Sequence, residues 1–264
     1  GQTGSSGATV MNLACGLDTR CYRMQGYAHW YNLDLPETIA VREALLPESG
    51  SISQLAMSAM DDWGSEVKEP SGPALVIIEG LTMYLTQADV LNAAFDARLQ
   101  ALRADNAAAG KEKQFHLEKQ ILPGIAAYET LQTVMPKEEA LQTVHGYVEQ
   151  RAWKLRKLFL ALMHVPGLPR KTPGIFTKQT RRMFGEAAGF EAREIETTGG
   201  VWRIDMTKCP YHDACVHYGC PELCPCFCDS DDITYDDLHP DLLWRRTRTL
   251  GRGNDCCDFC LKLR

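Results

Sequence analysis

The sequence predicts an α/β chain in two parts: a truncated parallel sheet of the doubly wound kind, then a cysteine-rich α+β part with helices first and an antiparallel sheet afterwards. Three observations carry this. Before residue 81, four short apolar runs each end in a polar or glycine-containing turn, with a helical stretch after the second. From about residue 86 to 190, apolar residues recur mainly at helical spacing. Between Cys209 and Cys260 stand nine of the eleven cysteines, interleaved with His212, His217, His239, Glu222, Asp229, Asp231, Asp232 and Asp258. The expected division is 1–92 and 93–264.

Composition sets the bounds. With 264 residues, 45% of them hydrophobic, the chain can bury one large core or two modest ones. A net charge of -6 argues against a general nucleic-acid binder, and Arg245, Arg246, Arg248 and Arg252 read as a solvated local patch with one anion site. No run of about 18 apolar residues exists, so no spanning helix and no membrane partner is expected. The opening GQTGSSG lacks the regions of a signal peptide and reads as a scar or fragment end. A cytoplasmic location follows as the expectation, where clustered cysteines are more often catalytic or metal-binding than bridged. The expected partner is a small-molecule substrate; oligomeric state stays open.

The first strand is read in ATVMNLACGLDTR, where Gly16 lets a ligand approach free backbone amides. A second, in HWYNLDLPE, ends at Asp34, placed to accept hydrogen bonds from both ribose hydroxyls of an adenosine cofactor. A third, roughly Ile52 to Ser58, precedes Asp61 and Asp62, where a carboxylate can take an adenine amino group. The fourth, in PALVIIEGLTMYL, ends at Glu79 and Gly80.

LACGLDTRCYR, WYNLDLPE with VREALLPE, SAMDDW and IIEGLTMYL together resemble the leucine carboxyl methyltransferase family over about residues 8 to 92. The resemblance implies a Rossmann-like class I sheet and S-adenosyl-L-methionine as cofactor. It puts Gly16 and Arg20 near the methionine part, Asp34 on the ribose and Asp61 near the adenine, with Glu79 and Gly80 lining the cofactor. Such a sheet needs about three further strands and a preceding helical segment, neither of which is found here.

After Thr86 the pattern is helical to Gly110. KEKQFHLEKQILPGIAAYETLQTVM carries Leu117, Ile121, Ile125, Tyr128 and Leu131 at helical spacing. The run from Pro136 carries Ala140, Leu141, Val144, Val148, Leu155, Leu158 and Leu162 as its apolar face. PGLPRKTPG reads as a connector, FTKQTRRMFGEAAGF as a short helix closed by Gly189, and EAREIETTGGVWRIDMTKCP as two strands about a Thr-Gly-Gly turn. RRTRTL and CCDFCLKL read as a closing hairpin. His116, His145 and His164 read as ordinary surface or core polar residues.

Within the cysteine stretch only Cys257 and Cys260 make a C-x2-C pair, so no metal ligand set is assigned, although zinc or an iron-sulfur cluster stays open. Several thiols read as plain packing. A hydrolytic reading needs a nucleophile or activated water and a base; Cys228 and Asp231, three apart, face one pocket if their segment is helical, with Cys257 and Asp258 approaching from the hairpin.

HLEKQILPGIAAYETL, MTKCPYHDAC, GCPELCPCFCDSDD and HPDLLWRRTRTLGRGNDCCDFCL resemble the L-2-amino-thiazoline-4-carboxylic acid hydrolase family from about residue 95 to the end. The resemblance implies hydrolytic opening of a cyclic amidine by attack at its C2 carbon. Cys209, Glu222, Cys228, Asp231, Cys257 and Asp258 match the family pattern. Residue chemistry then suggests Cys228 as nucleophile or ligand, Asp231 as general base and Glu222 as an orienting group. Cys215, Cys220, Cys224, Cys226, Cys256 and Cys260 exceed the pattern and keep a metal or redox variant open, as does a first part that acts only as a scaffold.

Overall fold

The computed structural model describes residues 7–46, 50–67 and 72–264, so all but the last residue of the polar leader lies outside the described residues. Its internal contacts divide the chain into two units, Gly1–Ala94 and Phe95–Arg264.

The first unit contains β1 (Ala8–Leu13), α1 (Arg20–Arg23), β2 (Tyr27–Asp34), α2 (Pro36–Leu45), β3 (Ile52–Ala56) and β4 (Ala74–Ile78). All four strands are parallel, in the order β3-β2-β1-β4. Side-chain alternation along β1 and β2 puts Val10 and Trp30 on one face and Met11, Leu13, Tyr31 and Leu33 on the other, so both faces hold a core. Register pairs Leu13 with both Leu33 and Ile78, and Asp34 with Ala56, which brings the carboxyl ends of the strands to one edge. Pro36 opens α2 because its fixed φ suits a first helical position. Among the described residues β4 ends the sheet, and Leu75, Val76 and Ile78 are exposed on it.

After α3 (Gln87–Asp105), the second unit runs through α4 (Lys111–His116), a π turn at Leu117–Ile121, α5 (Leu122–Leu131), α6 (Lys137–Met163) and α7 (Leu168–Met183). Pro123 explains the π turn: it has no N–H for the Lys119 carbonyl and its ring crowds that group, so the helix widens rather than breaks. The expected connector PGLPRKTPG is instead the first half of α7. Pro169 sits in the opening turn, where no amide is needed, and the hydroxyls of Thr172 and Thr177 return hydrogen bonds to the carbonyls of Leu168 and Pro173. Of the apolar face read on α6, Ala140 and Val144 are buried, but Leu155, Leu158 and Leu162 are exposed. There the helix packs through Ala152, Phe159 and Met163 instead.

The chain continues through β5 (Glu191–Glu196), β6 (Val201–Lys208), α8 (Pro210–His217), α9 (Cys224–Tyr235), β7 (Leu242–Arg245) and β8 (Cys257–Leu263). The antiparallel sheet has the order β5-β6-β8-β7. The closing strand lies a few residues earlier than expected, at LLWR, while residues 246–249 stay irregular. One core joins α5 and α6 to Cys215, Cys220, Leu223, Cys224 and Cys226. Another lies between the sheet and α7, built on Trp202, Ile204, Met206, Trp244, Cys257 and Leu261.

Candidate active site

In the first unit the turn after β1 is tied to the tip of β2. The Asp34 carboxylate accepts hydrogen bonds from the amides of Gly16 and Leu35, both at 2.8 Å. Gly16 needs its φ of +50° to make this turn. Its carbonyl in turn accepts from Arg42, a fully buried guanidinium that also reaches Gln54 and the Cys21 sulfur.

A hollow of about 400 Å³ lies at the strand ends, lined by Asn12, Cys15, Asp18, Arg20 and Glu79 among others. Arg20 pairs with both Glu79 oxygens at 2.8 and 2.9 Å and with Asp18 at 2.7 Å. Burial opposes ionisation at Asp18, but the bonds from Arg20 and Asn12 together hold it below the usual carboxylate range. Gly80 makes a left-handed turn after β4, and Asp61 accepts from the Ser58 amide; neither lines the hollow. Sequence reading missed Asn12, Asp18 and Arg42, although a polar residue inside the apolar run VMNL was a usable signal for the first.

In the second unit, helical spacing puts Cys228, Asp231, Asp232 and Tyr235 along the sheet-facing side of α9. The opposed sheet face presents Trp202, Ile204 and Met206 of β6 and Cys257 and Phe259 of β8, paired Ile204 with Phe259 and Met206 with Cys257. Period-two alternation from Leu242 through Trp244 carries Arg246 inward as well. The Arg246 side chain is thus 1% exposed, not part of a solvated patch. Its guanidinium lies 5.2 Å from the centre of the Phe259 ring and donates to Asp231 at 3.3 Å, to Asp232, and to the Cys228 carbonyl at 2.7 Å. Trp244 Nε1 donates to Asp232 at 2.8 Å.

Asp231 lines a cavity of about 300 Å³ walled by Phe176, Trp202, Trp244, Phe259 and Tyr235, with Gln179 and Thr180 as uncharged polar contacts, whereas Cys228, Asp232, Arg246 and Cys257 do not line it. Asp231 is its one charged lining residue. The aspartate is surrounded by protein but opens onto the cavity, so 40% of its side chain is accessible. Burial pushes its carboxyl up to about 6, with Arg246 opposing and Asp232 adding to the rise.

The thiols behave differently. A hydrogen bond with Cys224, and then burial, push the Cys228 thiol far above its ordinary range. Burial raises Cys209 to about 12 and Cys257 to about 11. Cys257 accepts the Leu250 amide at 3.3 Å. All eleven cysteines are unbridged. Among the described residues no three His, Cys, Asp or Glu side chains are grouped to hold a metal ion.

The remaining two candidates lie away from the cavity. Glu222 is bound by Tyr128 at 2.7 Å and Lys137 at 2.8 Å; burial opposes its ionisation, but these bonds hold it below the usual range. Asp258 points to the opposite sheet face from Phe259 and accepts from the Thr247 hydroxyl and from the Thr247 and Arg248 amides, fixing the irregular stretch that carries Arg246. Arg246, Trp244 and Tyr235 escaped sequence reading.

Comparison with known proteins divides the chain in the same sense. Residues 2–96 match the leucine carboxyl methyltransferase family. Two curated methyltransferases are also similar to part of the chain: the tetracenomycin polyketide synthesis O-methyltransferase TcmP of Streptomyces glaucescens, 41% identical over 85 residues, 31% of this chain, and the S-adenosyl-L-methionine-dependent methyltransferase dpfgK of Gibberella zeae, 35% identical over 94 residues, 32% of this chain.

 The chain spans about a third of the length of each of these relatives, 31% and 32%. No solved structure matches the chain. The first unit is therefore S-adenosylmethionine-dependent methyltransferase-like. Residues 114–261, more than half of the chain, match the family of L-2-amino-thiazoline-4-carboxylic acid hydrolase, and they hold the whole wall of the aromatic cavity. By that match the chain belongs to the L-2-amino-thiazoline-4-carboxylic acid hydrolase family.

Proposed function

We propose that the second unit hydrolyses the C–N bond of a small cyclic amidine, with Asp231 as general base. The observation that carries this is a single carboxyl, pushed up to about 6, at the wall of a cavity otherwise lined by aromatic, aliphatic and uncharged polar side chains. Aromatic faces suit a flat conjugated ring, and Gln179 and Thr180 can orient its heteroatoms. Asp231 takes a proton from water as the water oxygen bonds to the amidine C2 carbon, and the C=N electrons move to nitrogen. The tetrahedral adduct then collapses to a carbonyl as a C–N bond breaks: the adduct's hydroxyl proton goes to the nitrogen that received the C=N electrons, and the proton held by Asp231 passes to the departing nitrogen. The raised thiols of Cys209, Cys228 and Cys257 stay protonated at neutral pH, which favours the carboxylate over a thiolate.

Arg246 acts here as a positioning residue, holding Asp231 from below while lying against Phe259. The test is turnover of 2-amino-thiazoline-4-carboxylate, followed by mass spectrometry. Asp231→Asn should lower the rate by about 100-fold or more while the protein stays folded. Unchanged turnover in that variant would remove Asp231 from the chemistry.

For the first unit the reading is a site for S-adenosyl-L-methionine, which supplies an electrophilic methyl group when bound. The donor set fits it. Asp34 spends two hydrogen bonds on Gly16 and Leu35, leaving acceptor capacity for ribose hydroxyls, while Arg20, Asp18 and Glu79 offer both charges needed by an amino acid end. Asp61 is the proposed adenine contact. A second reading, a scaffold without methyl transfer, is favoured by the exposed β4 edge. Calorimetric titration with S-adenosylhomocysteine separates them: saturable binding lost in Asp34→Ala supports the cofactor site, and no binding to folded protein leaves the scaffold.

A further inference from the structure

We propose that the second unit carries another ligand site, on a different face of α9 from the one lining the aromatic cavity, for an amphiphilic anion of the medium-chain fatty carboxylate class. A cavity of about 550 Å³ lies among α5, α6 and α9, within the size range of small-molecule sites. Ser230 and Thr234 of α9 line it, whereas their neighbours Asp231 and Tyr235 line the aromatic cavity. One helix therefore separates two different chemistries.

The walls ask for an apolar body. Pro123, Ala127, Leu131, Val144, Val148 and Leu155 supply most of them. The serine and threonine hydroxyls present are turned back onto their own helices: Ser230 donates to the Phe227 carbonyl and Thr234 to the Ser230 carbonyl, each at 2.6 Å, and Thr143 to the Glu139 carbonyl at 2.8 Å. Gly124 belongs to this construction, since a Cβ there would stand 2.6 Å from the Phe227 ring that forms part of the wall.

The charged lining residues are both cations. Lys119, presented by the π turn, and Arg151 of α6 are exposed and border the cavity, and no carboxylate lines it. The ammonium of Lys119 has no ion pair or hydrogen bond among the described residues, and Arg151 lies 5.9 Å from the Tyr147 ring centre. An apolar chain buried along the helices, with its anionic end at these two cations, satisfies both halves of the lining.

The test is calorimetric titration of the full chain with dodecanoate below its micelle threshold, with dodecylammonium in parallel. Saturable one-site binding of dodecanoate is expected, at least tenfold tighter than the amine. The double change Lys119→Glu with Arg151→Glu should weaken it tenfold or more, and Ala127→Trp should abolish it by filling the cavity. Asp231→Asn should bind as the parent does. The proposal is overturned by absence of saturable binding, by equal affinity for the amine, by indifference to the charge reversal, or by loss of binding in Asp231→Asn. If Ala127→Trp fails to fold by circular dichroism, the charge reversal, confined to exposed side chains, decides the matter.

Discussion

A carboxyl titrating near 6 is ionised at neutral pH yet basic enough to accept a proton from an attacking water, and Asp231 meets both conditions because burial outweighs the attraction of Arg246. If it is the base, kcat/KM for hydrolysis falls about tenfold per pH unit below about 6. Arg246→Met removes the opposing cation, so the acidic limb moves upward by about one unit; an unmoved limb would mean that another group sets it. The folded state also holds this proton more tightly than the unfolded chain does. Its contribution to stability is complete below about pH 4 and lost as pH rises through about 6. Asp231→Asn, which lacks that dependence, should therefore gain thermal stability relative to the parent between those two values. Asp231 was legible in the sequence because C-x-x-D on a helix faces one way. Arg246 was not, because a basic run reads as solvated until the strand ahead of it shows which of its members points inward.

At the scale of elements, the contact between α9 and the turn at Leu250–Arg252 is a tight constraint on the active-site helix. A Cβ on Gly251 would stand 2.9 Å from the Cys224 sulfur, 3.2 Å from that of Cys228 and 3.3 Å from the Pro225 nitrogen. Two of the thiols that exceed any simple catalytic pattern or stand beside it thus pack against a backbone that cannot retreat from them. Gly251→Ala should destabilise the second unit by about 1–3 kcal/mol, read by denaturant titration, through overpacking. A neutral result would mean that α9 shifts freely. The strand tips at Gly16 and Asp34 were legible because each turn announces itself with a glycine or an acid. The first half of α7 was hidden by its prolines: Pro169 sits in the opening turn, where no amide is needed, but Pro173 lies inside the helix, where a proline reads as a break. The exposed Leu155, Leu158 and Leu162 show the opposite limit, since periodicity gives the apolar face of a helix without saying whether anything covers it.

For the whole molecule, the buried clusters divide as the chain does. Two of them, on Val10 and Trp30 and on Met11 and Leu33, draw only on residues before position 82, and the other two only on residues from 95 onward. Each unit thus has buried clusters of its own among the described residues, and a single two-state transition is not required. Leu33 is fully buried in the parallel sheet, so Leu33→Ala should cost about 2–5 kcal/mol there. Scanning calorimetry should show a transition shifted downward, with loss of S-adenosylhomocysteine binding if the parent has it, while hydrolysis by the second unit and its own transition stay where they were. One cooperative transition that moves as a whole, with hydrolysis lost alongside it, would mean that the units fold as one body and that the methyltransferase-like sheet supports the hydrolase-family part rather than merely preceding it.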